Sequence, residues 1–227
     1  MRFRSVVAAI ALSTLALAGA SSQAHAATWV QTLNFGPMGA NATSPLSFLA
    51  FDTSLGTLTA INITLESTLT ARVRVNNLEG TPLTWTSATG SISTTVTGPA
   101  GTSTSNALSI SDNTGGTLPP NSEYIGDFFN ANDSDMVSVN PANFAAYTGG
   151  GTFNINVSSS PYAVTGSGDD GLLYGGNASV LGSVRLEYVY TSVAIPEPGT
   201  LALLAPALLM GGVVVARRTH KGSKKVN

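Results

Sequence analysis

Apolar and polar residues alternate through most of the middle of this chain. From Ile61 to Val75 the odd positions are Ile, Ile, Leu, Leu, Ala, Val and Val, broken only by Ser67. The even positions are Asn, Thr, Glu, Thr, Thr, Arg and Arg. Period two over that length predicts one long strand, or two sharing a bend near Ser67, with one wet face. The same alternation returns at Phe153–Val157 and Val184–Tyr190, and shorter apolar runs lie at Trp29–Phe35, Pro45–Phe51, Leu83–Thr86, Ile92–Val96 and Ala107–Ile110. Clusters such as Asn76-Asn77, Gly115-Gly116 and Gly149-Gly150-Gly151 separate them as turns do. One helical hint interrupts the strands: Asn140 as an N-cap, Pro141 at the first helical position, then Ala142–Tyr147. Many short strands with polar outer faces predict an all-β, antiparallel β-sandwich.

The two ends follow a different pattern. Arg2 and Arg4 precede an apolar run over Val6–Leu17, and Ala24-His25-Ala26 places small residues where a signal peptidase reads them. The expected signal peptide is therefore 1–26, exported through the Sec machinery and cut between Ala26 and Ala27. Near the other end, Leu201–Ala216 carries no charge. As a helix it spans about 24 Å at ~1.5 Å per residue, a little under a hydrocarbon core of ~30 Å. Pro206 and Gly211-Gly212 would weaken a soluble helix but are tolerated in lipid. Arg217, Arg218, Lys221, Lys224 and Lys225 follow with no acid among them. Uncompensated cations stay on the cytoplasmic side, so 201–216 is expected to be a single transmembrane helix, Arg217 and Arg218 its stop, and 217–227 a cytoplasmic tail.

A plain anchor leaves Ile195-Pro196-Glu197-Pro198-Gly199-Thr200 unexplained. Two prolines keep this stretch extended and short of backbone donors, as a peptide must be to enter a processing enzyme's groove. The motif Pro196-Glu197-Pro198, the apolar helix and the basic end together resemble the PEP-CTERM sorting signal, over about 195–220. That resemblance implies an exosortase as partner, transient residence in the inner membrane of a Gram-negative bacterium, cleavage near the motif, and an end state at the cell surface or in the extracellular matrix. It also implies association with exopolysaccharide or biofilm. The cargo between the signals is 27–194. Its aromatic first strand, "FDTSLGTLTAINITLESTL" at 51–69 and "YTGGGTFNINV" at 147–157 resemble the choice-of-anchor E domain, a family of secreted bacterial chains with alternative C-terminal anchors. That family supplies no site residue.

Charge and composition narrow the chemistry of the cargo. The whole chain has a formal charge of −2, but its cations cluster in the terminal segments. Residues 27–194 hold eleven acids against Arg72, Arg74 and Arg185, which leaves −8. So acidic a body does not seek nucleic acid. It has no cysteine, histidine or lysine, so no disulfide staples it, and His- or Cys-based nucleophilic and zinc sites are excluded. A carboxylate pair, at Asp169-Asp170 or within Asp127/Asp133/Asp135, is the remaining route to catalysis. Adjacent aspartates in "GSGDDG" mark a solvated turn, and the domain is expected to be non-catalytic. No cofactor is expected; calcium is the one ion that "GDFFNANDSD" could take, through Asp127, Asp133 and Asp135. No glycine or closing glutamate sits where an EF-hand needs it, and the competing reading is a polar surface loop. Trp29, Trp85, Tyr162 and Tyr174 are candidate platforms for stacking sugars, which would make the domain a polysaccharide-binding module. The alternative is that they fill or rim the core.

Overall fold

The computed structural model describes residues 25–193. Among them eleven strands run in chain order: β1 (Ala26–Met38), β2 (Thr43–Leu49), β3 (Gly56–Asn77), β4 (Leu83–Thr97), β5 (Ser103–Asp112), β6 (Gly116–Leu118), β7 (Ser122–Ile125), β8 (Phe129–Ser138), β9 (Thr152–Ser159), β10 (Ala163–Gly168) and β11 (Leu172–Ser192). They form two sheets with antiparallel strand pairing, an all-β sandwich architecture. The first sheet has the order β1-β11-β3, with β7 and β8 both pairing β3. The second has the order β10-β4-β9-β2, with β5 and β6 also on β4.

β3 is one unbroken strand of 22 residues that runs through Ser67, so the two-strand alternative does not occur. Its odd side chains from Ile61 to Val75 are buried and its even ones face outward. Ser67 stays on the buried face because a side chain from the other sheet reaches it: Asn106 Nδ2 donates to Ser67 Oγ at 3.2 Å. β4 joins two runs that look separate in the sequence, since the inward positions between them are Ala88 and Gly90. Gly90 is required there: a Cβ would sit 1.8 Å from the Tyr162 hydroxyl. Tyr174 packs over Gly166 in the same way. The helical hint is a 3-10 helix at Pro141–Tyr147, with Asn140 Oδ1 accepting from the Ala142 amide at 3.0 Å.

One core lies between the sheets. Its largest buried side chains include Trp85, Tyr147, Tyr188, Phe48 and Phe51. Burying an aliphatic or aromatic side chain of this kind contributes about 1.5–3 kcal/mol. In the absence of disulfides this burial carries the fold. Polar ties close the sandwich. Gln31 on β1 acts as a peptide-group mimic toward β2, donating to Leu49 O at 2.9 Å and accepting from Leu49 N at 3.0 Å. Asn106 on β5 donates to Leu65 O at 3.2 Å and Asp133 O at 2.8 Å, tying β5 to β3 and β8. Asp112, at the end of β5, accepts from Thr114 N at 3.0 Å, Thr114 Oγ1 at 2.7 Å and Tyr124 OH on β7 at 2.9 Å. Burial pushes the Asp112 carboxyl up, but these donors outweigh it and hold it below the ordinary carboxylate range.

Candidate functional site

The outward faces of the two sheets differ in chemistry. On β4 and β5 four outward register pairs are hydroxyls, Thr89 with Ser111, Ser91 with Ser109, Thr95 with Ser105 and Thr97 with Ser103, with Ser93 opposite Ala107 between them. The outward face of the first sheet carries the charged side chains Glu66, Arg72, Arg74, Arg185 and Glu187. Arg74 pairs with Glu123 at 3.3 Å and Arg185 with Glu187 at 3.1 Å. Arg72 instead lies over the exposed ring of Phe128, 4.8 Å from its centroid.

A cleft of about 850 Å³ opens on this charged face. Strand register builds it. Asn34 on β1 lies opposite Ser183 on β11, and Glu66 on β3 lies opposite Ser134 on β8. Ser183 Oγ donates to Glu66 Oε2 at 3.3 Å and links the two pairs into one polar row across four strands. Thr68 and its partner Asn132 form the next row. Phe35, buried, and Leu181, exposed, add apolar surface. Gly182 lets β11 lie this close to β3: a Cβ there would be 2.0 Å from Glu66 O and 2.8 Å from Phe35 Cζ. Among the described residues the lining holds no histidine, cysteine, lysine or arginine, so it has hydrogen-bonding groups and the Glu66 carboxylate but no conventional nucleophile–base pair; Asp133, opposite inward-facing Ser67, lies by register on the other side of β8.

The sequence-predicted calcium residues do not converge. "GDFFNANDSD" is mostly strand rather than loop: β8 begins at Phe129 and is paired with β3 through Ser138. At ~3.3 Å per residue, the strand alone puts Asp133 about 13 Å beyond Phe129, and Asp127 lies before the strand. Asp133 Oδ1 accepts from the Ser134 amide at 2.9 Å. Asp135 Oδ1 accepts from the Met136 amide at 2.8 Å, and its other oxygen accepts from Thr104. Thr104 and that amide hold the exposed Asp135 carboxyl below its ordinary value. Among the described residues no group of three or more His, Cys, Asp or Glu side chains is placed to hold a metal ion. Asp169 Oδ2 accepts from the Thr84 amide at 2.6 Å, tying the "GSGDDG" turn to β4.

The four candidate sugar platforms are committed to packing. Trp85 is buried against Tyr124, with centroids 4.7 Å apart. Trp29 stacks on Tyr188 at 5.3 Å. Tyr162 and Tyr174 are half-buried over Gly90 and Gly166. Of the signal residues, Ala26 and Ala27 open β1, paired with Thr191 and Tyr190 of β11. Ala24, Pro196, Glu197, Pro198, the apolar run 201–216, Arg217 and Arg218 lie outside the described residues. The cleft itself escapes sequence reasoning, because Asn34, Glu66, Asn132 and Ser183 lie on four strands whose pairing no local pattern reveals.

No family model matches the sequence, and no curated protein matches it. Solved structures that resemble it include a chain of infectious bursal disease virus, Gt strain, at 11% identity and a TM-score of 0.18, covering 84% of this chain and 49% of that one. A chain of the VP2 subviral particle of the same virus gives 14% identity and a TM-score of 0.16, covering 80% and 49%. The chain thus spans about half the length of the viral chains it matches. Superpositions this loose carry no argument about fold or role.

Proposed function

We propose that this chain is an exported, non-catalytic surface or matrix protein, released from an inner-membrane intermediate by an exosortase acting near Pro196-Glu197-Pro198. Residues 1–26 serve as the Sec signal peptide, 201–216 as a transient transmembrane helix, and Arg217 and Arg218 hold the 217–227 tail in the cytoplasm. The delivered cargo is the β-sandwich, a member of the choice-of-anchor E type. Its setting is the exopolysaccharide matrix of a Gram-negative bacterium.

One observation supports this reading above the others. The first and last strands are neighbours in one sheet, and Ala26 stands opposite Thr191. Cutting after Ala26 removes one terminal residue of β1, and cutting beyond Val193 removes none of β11. The cargo therefore loses no strand when both signals are removed. The −8 charge of the cargo also suits a body that has to remain soluble once released.

The test is the triple substitution of Pro196, Glu197 and Pro198 by alanine. Export should persist, with the chain retained in the inner-membrane fraction. Arrival of the variant at the surface in normal amount would leave a simple anchor and remove the sorting function.

A further inference from the structure

We propose that the cleft on the first sheet, between Asn34 and Ser134, binds a short segment of an uncharged oligosaccharide. The inference is independent of how the chain is sorted. It rests on the cavity and its lining, and it differs from aromatic stacking on the tryptophans and tyrosines, which are packed against the protein.

The chemistry of the lining selects the ligand. A sugar ring presents hydroxyls that donate and accept, around a less polar carbon face. The cleft meets both. Asn34, Thr68, Asn132 and Ser134 supply amides and hydroxyls whose side chains make no hydrogen bond to another described residue, and Glu66 supplies a strong acceptor. Phe35, Pro37 and Leu181 supply the apolar surface. This combination of apolar area with a few convergent polar groups is that of a small-ligand site, and its volume lies within the usual ~300–1,000 Å³. The polar row runs across strands that are ~4.8 Å apart, so four strands hold a row roughly 14 Å long. That matches the reach of a few linked sugars rather than one. A neutral chain is favoured over an acidic one because the Glu66 carboxylate stands in the cleft and, among the described residues, no cation lines it. A cationic peptide would find only the Glu66 side chain as a counter-charge in this row, whereas a neutral sugar chain can exchange hydrogen bonds with Asn34, Thr68, Asn132 and Ser134.

The full chain, purified in detergent, should be titrated with cellohexaose, maltohexaose and mannohexaose, with a hexamer of polygalacturonate as the acidic arm. At least one neutral hexamer should bind, and the uronate at least tenfold more weakly. Asn132→Leu and Thr68→Leu should each weaken the neutral hexamer tenfold or more with an unchanged melting temperature. Glu66→Gln should keep neutral binding within about threefold while narrowing the gap to the uronate, a split that mere misfolding would not give. Should none of the three neutral hexamers bind, or should binding survive both leucine variants, the proposal is overturned. Preference for the uronate in the native chain would overturn it as well.

Discussion

Asp112→Asn tests the polar tie between the two sheets. The native carboxylate accepts three hydrogen bonds: two from Thr114 on Oδ1 and one from Tyr124 on Oδ2. Asparagine keeps the shape but offers one acceptor oxygen. If that oxygen stays with Thr114, an NH2 group faces the Tyr124 hydroxyl, whose own proton must turn to Thr114 Oγ1 at 3.4 Å. A charge-assisted bond contributes about 1.5–3 kcal/mol and a neutral one about 0.5–1.5. Weakening three bonds by about 1 kcal/mol each gives a loss of about 3 kcal/mol. For a domain of this size 1 kcal/mol moves the midpoint by roughly 2–4 °C, so a drop of about 6–12 °C is expected at pH 7. The pH dependence identifies the cause. The folded carboxyl lies below its unfolded value, so its stabilisation is present above the unfolded pKa of about 3.9 and is lost as pH falls through the folded one. The native protein should therefore lose stability below about pH 4, and the gap to the variant should narrow at pH 3. Thermal unfolding of residues 27–194, followed by circular dichroism, reads both quantities. A gap under ~1 kcal/mol at pH 7, or one as large at pH 3 as at pH 7, would refute a charged tie.

Other perturbations follow from the same geometry. Gly182→Ala should cost about 3 kcal/mol or more, since its Cβ would press on backbone at Glu66; a variant melting within 2 °C or so of the native protein would contradict the close approach of β11 and β3. Calcium should shift the melting temperature no more than sodium at matched ionic strength, because Asp127, Asp133 and Asp135 are spread along the chain; a calcium-specific rise that Asp133→Ala abolishes would contradict this. Neutralising Arg217, Arg218, Lys221, Lys224 and Lys225 together should let the tail cross the membrane and become open to external protease. A tail still protected would place the stop elsewhere.

What the sequence reveals depends on how each strand is buried. β3 has one dry face and one wet face, so its alternation is legible, and β9 and β11 follow the same rule. β8 sits at the side of the sandwich, where only Ala131 and Val137 are half-buried, so its Asn, Asp and Ser residues look like a loop. β4 is obscured by Gly90, where the apolar group filling the inward position is the ring of Tyr162 from beyond β9. Ser67 looks like a flaw in an apolar face until Asn106, from the opposite sheet, reaches it. The carboxylates of "GDFFNANDSD" suggest a metal because they are close in sequence, but a strand keeps such neighbours apart. The cleft has the reverse problem: its residues are distant in sequence and meet only through the pairing of β1, β11, β3 and β8.

The central claim is that the sandwich is delivered free of both terminal signals. Mass spectrometry of the protein recovered from the cell surface or culture medium of its own host tests this most directly, by mapping both ends. The account predicts a chain that begins at Ala27 and ends near Pro196-Glu197-Pro198, with no peptide from 201–227. Surface-exposed protein that still carries Arg217 and Arg218 in the bulk of the population would contradict it, and would leave a permanently anchored membrane protein.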